Sequence, residues 1–217
     1  DAPGQVQQPG IGRIAVAEAG NHLLESRNDV TTGQIVCHVV GQAAEKREDV
    51  NQVIRKLDLL GDSMHVDFAP ITDMEFDVLR RLRARFGRVS IERLLCGAGI
   101  VNIYQALTEI RGQPVEFSSP TDIGVAAQRD NPLAAEAMAM FFAVLGSSAG
   151  NLALITGAMG GVFIAGGIAP QYIDLLRRSD FRARFLAKGR LADYNTNLGT
   201  FVITHEDPGL LGAALYL

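Results

Sequence analysis

The residue types that exchange protons or hold polar ligands gather in three short segments of this 217-residue sequence. In His65-Val66-Asp67-Phe68-Ala69-Pro70 polar and apolar residues alternate at first. An extended backbone there turns the His65 imidazole and the Asp67 carboxylate to one side. In Ser90-Ile91-Glu92-Arg93 the Glu92 carboxylate stands just ahead of the glycine turn Cys96-Gly97-Ala98-Gly99, with Arg93 and Arg88 as its ion-pair partners on a surface reading. In Gly161-Val162-Phe163-Ile164-Ala165-Gly166-Gly167 an apolar run ends in two glycines. Lacking Cβ atoms, Gly166 and Gly167 either let the backbone approach a flat ring or a phosphate closely, or simply make a tight turn. Metal chemistry has no comparable signal. His22, His38, His65 and His205 are scattered, and neither Cys37 nor Cys96 has a C-x-x-C partner. Two distant cysteines predict free thiols in a reducing, cytoplasmic setting.

The elements that position these segments are legible from periodicity and caps. Ile14 to Ala17 reads as a short strand, and the β-branched run Gln34 to Val40 as a second. Val50, Val53, Ile54, Leu57 and Leu60 share one face of a helix within Ala43 to Leu60. Thr72 caps a helix over Asp73 to Phe86, with Phe76, Leu79, Leu82 and Phe86 on one face and Gly87 as its stop. A second helix leaves the Cys96–Gly99 turn. Asn131-Pro132 opens a buried helix read as ending at Leu145. A strand runs into Gly166-Gly167, a helix follows from Pro170, and Asp180 to Lys188 reads as a short basic helix. Thr200 to Thr204 is a strand, and Asp207-Pro208 caps a last helix, Gly209 to Leu217. Helices alternating with strands that end in glycine turns predict an α/β fold, whose strand ends are where ligands bind. Residues 1–60 differ in character from residues 61–217.

Composition narrows the function classes. The chain is 47% hydrophobic and 20% charged, long enough for a core without disulfides or metals to hold it. A formal charge of -4 argues against a protein built to neutralise nucleic-acid phosphates, and the arginines at 80, 81, 83, 85 and 88 read as a solvated helix face. From Ala137 to Tyr172 no charged residue occurs, but eight glycines and asparagines interrupt the run, which predicts a buried α/β centre and no membrane hairpin. The opening Asp1-Ala2-Pro3-Gly4 has neither the basic nor the apolar region of a secretory signal.

Residues 61–217 resemble the bacterial glucokinase family, the ATP-dependent, non-ROK group. The matching blocks, in order, begin with His65–Pro70, Val89–Leu95 and Gly97–Tyr104. They continue with Gly150–Leu154, Gly161–Ile168, Phe181–Phe185, Lys188–Arg190 and Pro208–Ala213. The resemblance implies the larger lobe of an actin-like, ribonuclease-H-type ATPase fold, with residues 1–60 as a divergent remnant of the smaller lobe. It implies Mg-ATP and glucose as ligands, a homodimer, and phosphorylation of glucose to glucose 6-phosphate. Asp62, His65 and Glu92 fall on the family's sugar ligands, and Gly166 and Gly167 on its nucleotide turn. The nearest match to the segment that carries the catalytic base is Asn28-Asp29-Val30-Thr31. It places Asn28 at the sugar and makes Asp29 the group that takes the 6-hydroxyl proton.

Departures accompany the match. The sugar segment Glu-Gly-Gly-His of the family reads Asp62-Ser63-Met64-His65 here. Neither of the family's two phosphate loops, Asp-x-Gly-Gly-Thr and Gly-x-Gly-Thr-Gly-Leu-Gly, occurs in the sequence. Phosphoryl transfer depends on such loops for positioning and charge. Two readings therefore stay open: a glucokinase, and a catalytically inactive relative that binds sugar or dimerises.

Overall fold

The computed structural model describes residues 64–204 throughout and, before them, the backbone of two strands, Ile14–Ala17 (β1) and Val36–Val40 (β2). The helices read over Ala43 to Leu60 and Gly209 to Leu217 lie outside the described residues. Four long helices follow the two strands: α1 (Asp73–Phe86), α2 (Gly97–Arg111), α3 (Pro120–Gln128) and α4 (Pro132–Thr156). Strand β3 (Gly161–Ala165) leads into the short helices α5 (Ile168–Gln171), α6 (Ile173–Arg178), α7 (Phe181–Leu186) and α8 (Ala192–Thr196). Strand β4 (Thr200–Ile203) completes the described chain.

The four strands form one sheet in the order β1-β4-β3-β2. β4 runs parallel to both β1 and β3, with Thr200 opposite Ile14 and Val162. β2 runs antiparallel to β3, Val36 opposite Ala165 and Val40 opposite Gly161. Val162 and Ile164 of β3 are fully buried, as expected of an apolar strand inside a sheet. Phe163 and Phe201 stack across β3 and β4 at 4.8 Å.

α4 is the centre of the helical body, with α2, α3 and α7 packed on it. Asn131 accepts a hydrogen bond from the Ala134 amide at its start, and Gly157 ends it in the left-handed region. It runs past Leu145, where the glycines suggested an end. Gly146 and Gly150 are one helical turn apart, and α7 fills the space their missing side chains leave. A Cβ on Gly146 would strike the Phe181 carbonyl, and one on Gly150 would meet the Phe185 carbonyl at 2.5 Å. By length and composition α4 could cross a membrane, but two-thirds of its apolar window (67%) is buried inside this fold. Phe141 and Phe142 meet edge to face within it, and burying each ring contributes roughly 1.5–3 kcal/mol.

α1 begins as its sequence predicts, with Thr72 Oγ1 accepting from the Glu75 amide. Its buried face differs. Phe76 is 48% exposed, whereas Glu75, Val78 and Leu82 point inward and Glu75 is only 2% exposed. The reason is a cation on α7. Arg184 grips the Glu75 carboxylate with two bonds, at 2.6 and 3.0 Å. A buried, paired carboxylate thus sets the rotation of α1 where apolar periodicity alone points elsewhere.

Candidate functional site

Two backbone hydrogen bonds bring the His65 and Glu92 segments together. The Phe68 amide donates to the Val89 carbonyl at 3.0 Å, and the Ile91 amide donates to the Val66 carbonyl at 2.9 Å. Asp67 and Ser90 form an antiparallel bridge between them. One residue beyond the Val66–Ile91 bond, on either side, stand His65 and Glu92. Arg88 ties the pair of segments from outside. Its Nε donates to Asp67 Oδ1 at 2.7 Å and its Nη2 to the His65 carbonyl at 2.6 Å. The Asp67 carboxylate is thereby spent on structure, and His65 stays exposed.

Glu92 lies on a 3-10 turn, Ile91–Arg93, and is half-buried. α2 holds this turn: the buried Asn102 side chain donates from Nδ2 to the Arg93 carbonyl at 3.0 Å. The ion pair expected of Glu92 does not form. Arg88 is engaged by Asp67, and the Arg93 guanidinium lies over the Phe86 ring at 4.6 Å. Glu92 instead lies near enough to the Cys96 thiol for its charge to act on it. Cys96 Sγ in turn accepts from the Gly99 amide at 3.3 Å. Burial pushes the Cys96 pKa up, the Gly99 hydrogen bond opposes this, and the charge of Glu92 adds to the rise. What results is an exposed imidazole and a half-buried carboxylate on two joined segments, neither in an ion pair among the described residues and both able to hydrogen-bond hydroxyl groups.

The glycine pair stands at the carboxyl end of β3, on the side where parallel sheets hold ligands. Gly166 has φ of +107°, which a side chain would strain, and the chain bends there into Gly167 and α5. Gly167 is exposed, and a Cβ on it would meet nothing within 4 Å. The backbone is therefore open to a flat ring at this point. The 3-10 turn Ile91–Arg93 packs on α2, α2 on α4 and α4 on β3, which is how the two regions are joined.

Asn28, Asp29 and Asp62 lie outside the described residues. Met64 is half-buried and packs against the apolar core. Among the described residues no cluster of His, Cys, Asp or Glu could hold a metal ion. Of the arginines on the α1 face, Arg80 pairs with Asp77 and Arg85 lies over Phe86 at 5.3 Å. Sequence reading named Arg88 only as a partner of Glu92 and Cys96 only as a turn residue, and gave Asn102 no role; the bonds by which Arg88 and Asn102 hold the site end on main-chain carbonyls.

A mixed sheet of four strands, with a glycine turn at one strand end and a helical body packed beside it, defines an α/β protein. A family model described as Glucokinase matches residues 49–217, and the chain belongs to the glucokinase family. It is 48% identical over 157 residues to the glucokinase of Marinobacter nauticus, covering 72% of this chain and 49% of that one. With the glucokinase of Hahella chejuensis it shares 46% over 151 residues, 69% of this chain and 47% of the other. The crystal structure of a glucokinase from an Antarctic psychrotroph superimposes with a TM-score of 0.68 at 33% identity, covering 72% of this chain and 49% of that one. A glucokinase from Balamuthia mandrillaris, solved in complex with glucose, shares the fold with a TM-score of 0.58 at 19% identity, over 70% of this chain and 45% of that one. The chain spans about half the length of the curated relatives it matches.

Proposed function

We propose that this chain supplies sugar and nucleotide contacts of an ATP-dependent glucokinase that phosphorylates glucose to glucose 6-phosphate. The observation that carries the reading is the bridge that joins the His65 and Glu92 segments, with neither residue in an ion pair among the described residues. Such groups satisfy sugar hydroxyls, and a ligand that covers them without offering hydroxyls leaves them unpaired. Asp62 and Asn28 are further proposed sugar ligands, and Asp29 is the proposed base for the 6-hydroxyl proton.

Gly166 and Gly167 are the proposed nucleotide contact, and the open space at Gly167 fits a flat ring. Mg-ATP supplies the phosphoryl group and the metal charge when bound. The lobe assignment follows the same line: residues 61–217 as the larger lobe of an actin-like ATPase fold, residues 1–60 as a remnant of the smaller. The parallel pair β3 and β4 with the glycine turn at one end supports the assignment of residues 61–217, while β1 and β2 join that same sheet. A cytoplasmic homodimer is part of the proposal.

The test is Mg-ATP-dependent formation of glucose 6-phosphate in a coupled assay, with Glu92→Ala as the control against a contaminating kinase. Turnover that the control abolishes is expected. The absent phosphate loops favour one other reading, a relative that binds sugar or dimerises without transfer. A folded chain with no turnover would select it.

A further inference from the structure

The glycine turn has no side chains with which to hold its place. β3 fixes it on one side through the sheet. On the other side comes α5, which is four residues long and far below the length at which a helix sustains itself. Its hydrogen bonds are few and long, 3.4 Å from the Gln171 amide to the Gly167 carbonyl and 3.2 Å from the Tyr172 amide to the Ile168 carbonyl. Something outside α5 must hold it.

The large side chain at its end is Tyr172, which closes α5, opens α6 and is 2% exposed. Its ring lies against α3 at Gly124. A Cβ on Gly124 would fall on the Cζ, hydroxyl and Cε1 atoms of that ring. The fit is one of shape. Among the described residues the buried Tyr172 hydroxyl has no hydrogen-bond partner, and burial, then the charge of Asp122, pushes its pKa up. A polar anchor would have found an acceptor, so the hydroxyl is not what keeps the ring there. Ile168 and Ala169 are buried beside it and complete the attachment of α5.

We infer that Tyr172, seated on Gly124, is a positioning residue for the nucleotide turn: the ring sets where Gly166 and Gly167 stand relative to the helical body. The inference rests on reading Gly166-Gly167 as the nucleotide contact. It extends the nucleotide site to a helix, α3, that carries none of its contacts. Only glycine at residue 124 leaves room for the ring, and only a large flat side chain at 172 fills the space.

The test compares the parent chain with Gly124→Ala, Tyr172→Leu and Tyr172→Phe. ADP and glucose affinities are measured by calorimetry, and amide hydrogen exchange is followed over residues 166–171. Gly124→Ala and Tyr172→Leu are expected to weaken ADP by about tenfold or more, since a small misplacement of contacting backbone suffices. Exchange over 166–171 accelerates in both, and glucose affinity holds. Tyr172→Phe keeps the ring and restores both readouts to the parent level. Should Gly124→Ala not fold, Tyr172→Leu decides alone, because it adds no atoms. A folded variant with parent ADP affinity and parent exchange overturns the inference. So does an equal loss of both affinities, which marks general destabilisation. If the parent binds no ADP, the nucleotide reading of the turn fails, and the exchange data still decide whether Tyr172 holds it.

Discussion

At Glu92 the chemistry depends on a neighbour the sequence places four residues on. Burial, with the Glu92 charge adding to it, pushes the pKa of the Cys96 thiol up. Glu92→Gln removes the charge, so the Cys96 pKa falls toward its ordinary 9.0, with burial still holding it up. Alkylation of Cys96 by iodoacetamide at alkaline pH, read by mass spectrometry of its peptide, should accelerate several-fold. An unchanged rate would show that Glu92 does not bear on the thiol. The sign for stability follows. With the folded pKa above the unfolded one, the native state binds more protons in between. The contribution is full below pH 9.0 and is lost as pH rises through the folded value. His65 and Glu92 themselves were legible in the sequence, because an imidazole or a lone carboxylate beside a glycine turn stands out by type. Arg88 was not. Its bond to the His65 carbonyl spans 23 residues and involves a main-chain acceptor that no residue pattern displays.

Among the elements, α1 and α7 show what a buried ion pair does that periodicity cannot reveal. Arg184 joins Glu75 of α1 to Ser147 of α4, and Glu75 Oε2 also accepts from the Ile71 amide at 2.7 Å. The link therefore fixes the start of α1 and the chain leading back to His65. Arg184→Met leaves the Glu75 charge buried and unpaired, and should cost about 3–5 kcal/mol in denaturant unfolding. Glu75→Leu with Arg184→Met should recover most of that loss. Equal stability of the single variant and the parent would mean that the pair contributes nothing. The sequence placed both ends of α1 correctly, because Thr72 and Gly87 are local signals. It misplaced the buried face, because Glu75 is inward only by virtue of a partner 109 residues away. α4 was cut short for a related reason. Glycine inside a helix costs about 1 kcal/mol relative to alanine, so Gly146 and Gly150 read as breaks until α7 is seen lying against them.

Over the whole molecule, the sheet is built from the two ends of the chain, with the helical body between. β1 and β2 come before residue 41, β3 and β4 after residue 160. All four strands were legible as β-branched or apolar runs. Their order was not, nor the reversed direction of β2, since both depend on pairings across more than a hundred residues. The family was legible for a different reason: its blocks are local and occur in order, and the match over residues 49–217 agrees with them. The candidate site stands between these cases. His65, Glu92, Gly166 and Gly167 were named from local pattern, but their placement needed the ladder, α2 and the sheet. Asn28, Asp29 and Asp62 lie outside the described residues, so the sugar side of the account rests on His65 and Glu92. Glucose titrated calorimetrically into the parent chain and into Glu92→Ala tests it most directly. The account predicts saturable binding by the parent and at least about tenfold weaker binding by the variant, the loss of one charged hydrogen-bonding group, at equal thermal stability. Equal affinity in the two, or no binding by a folded parent, would contradict it.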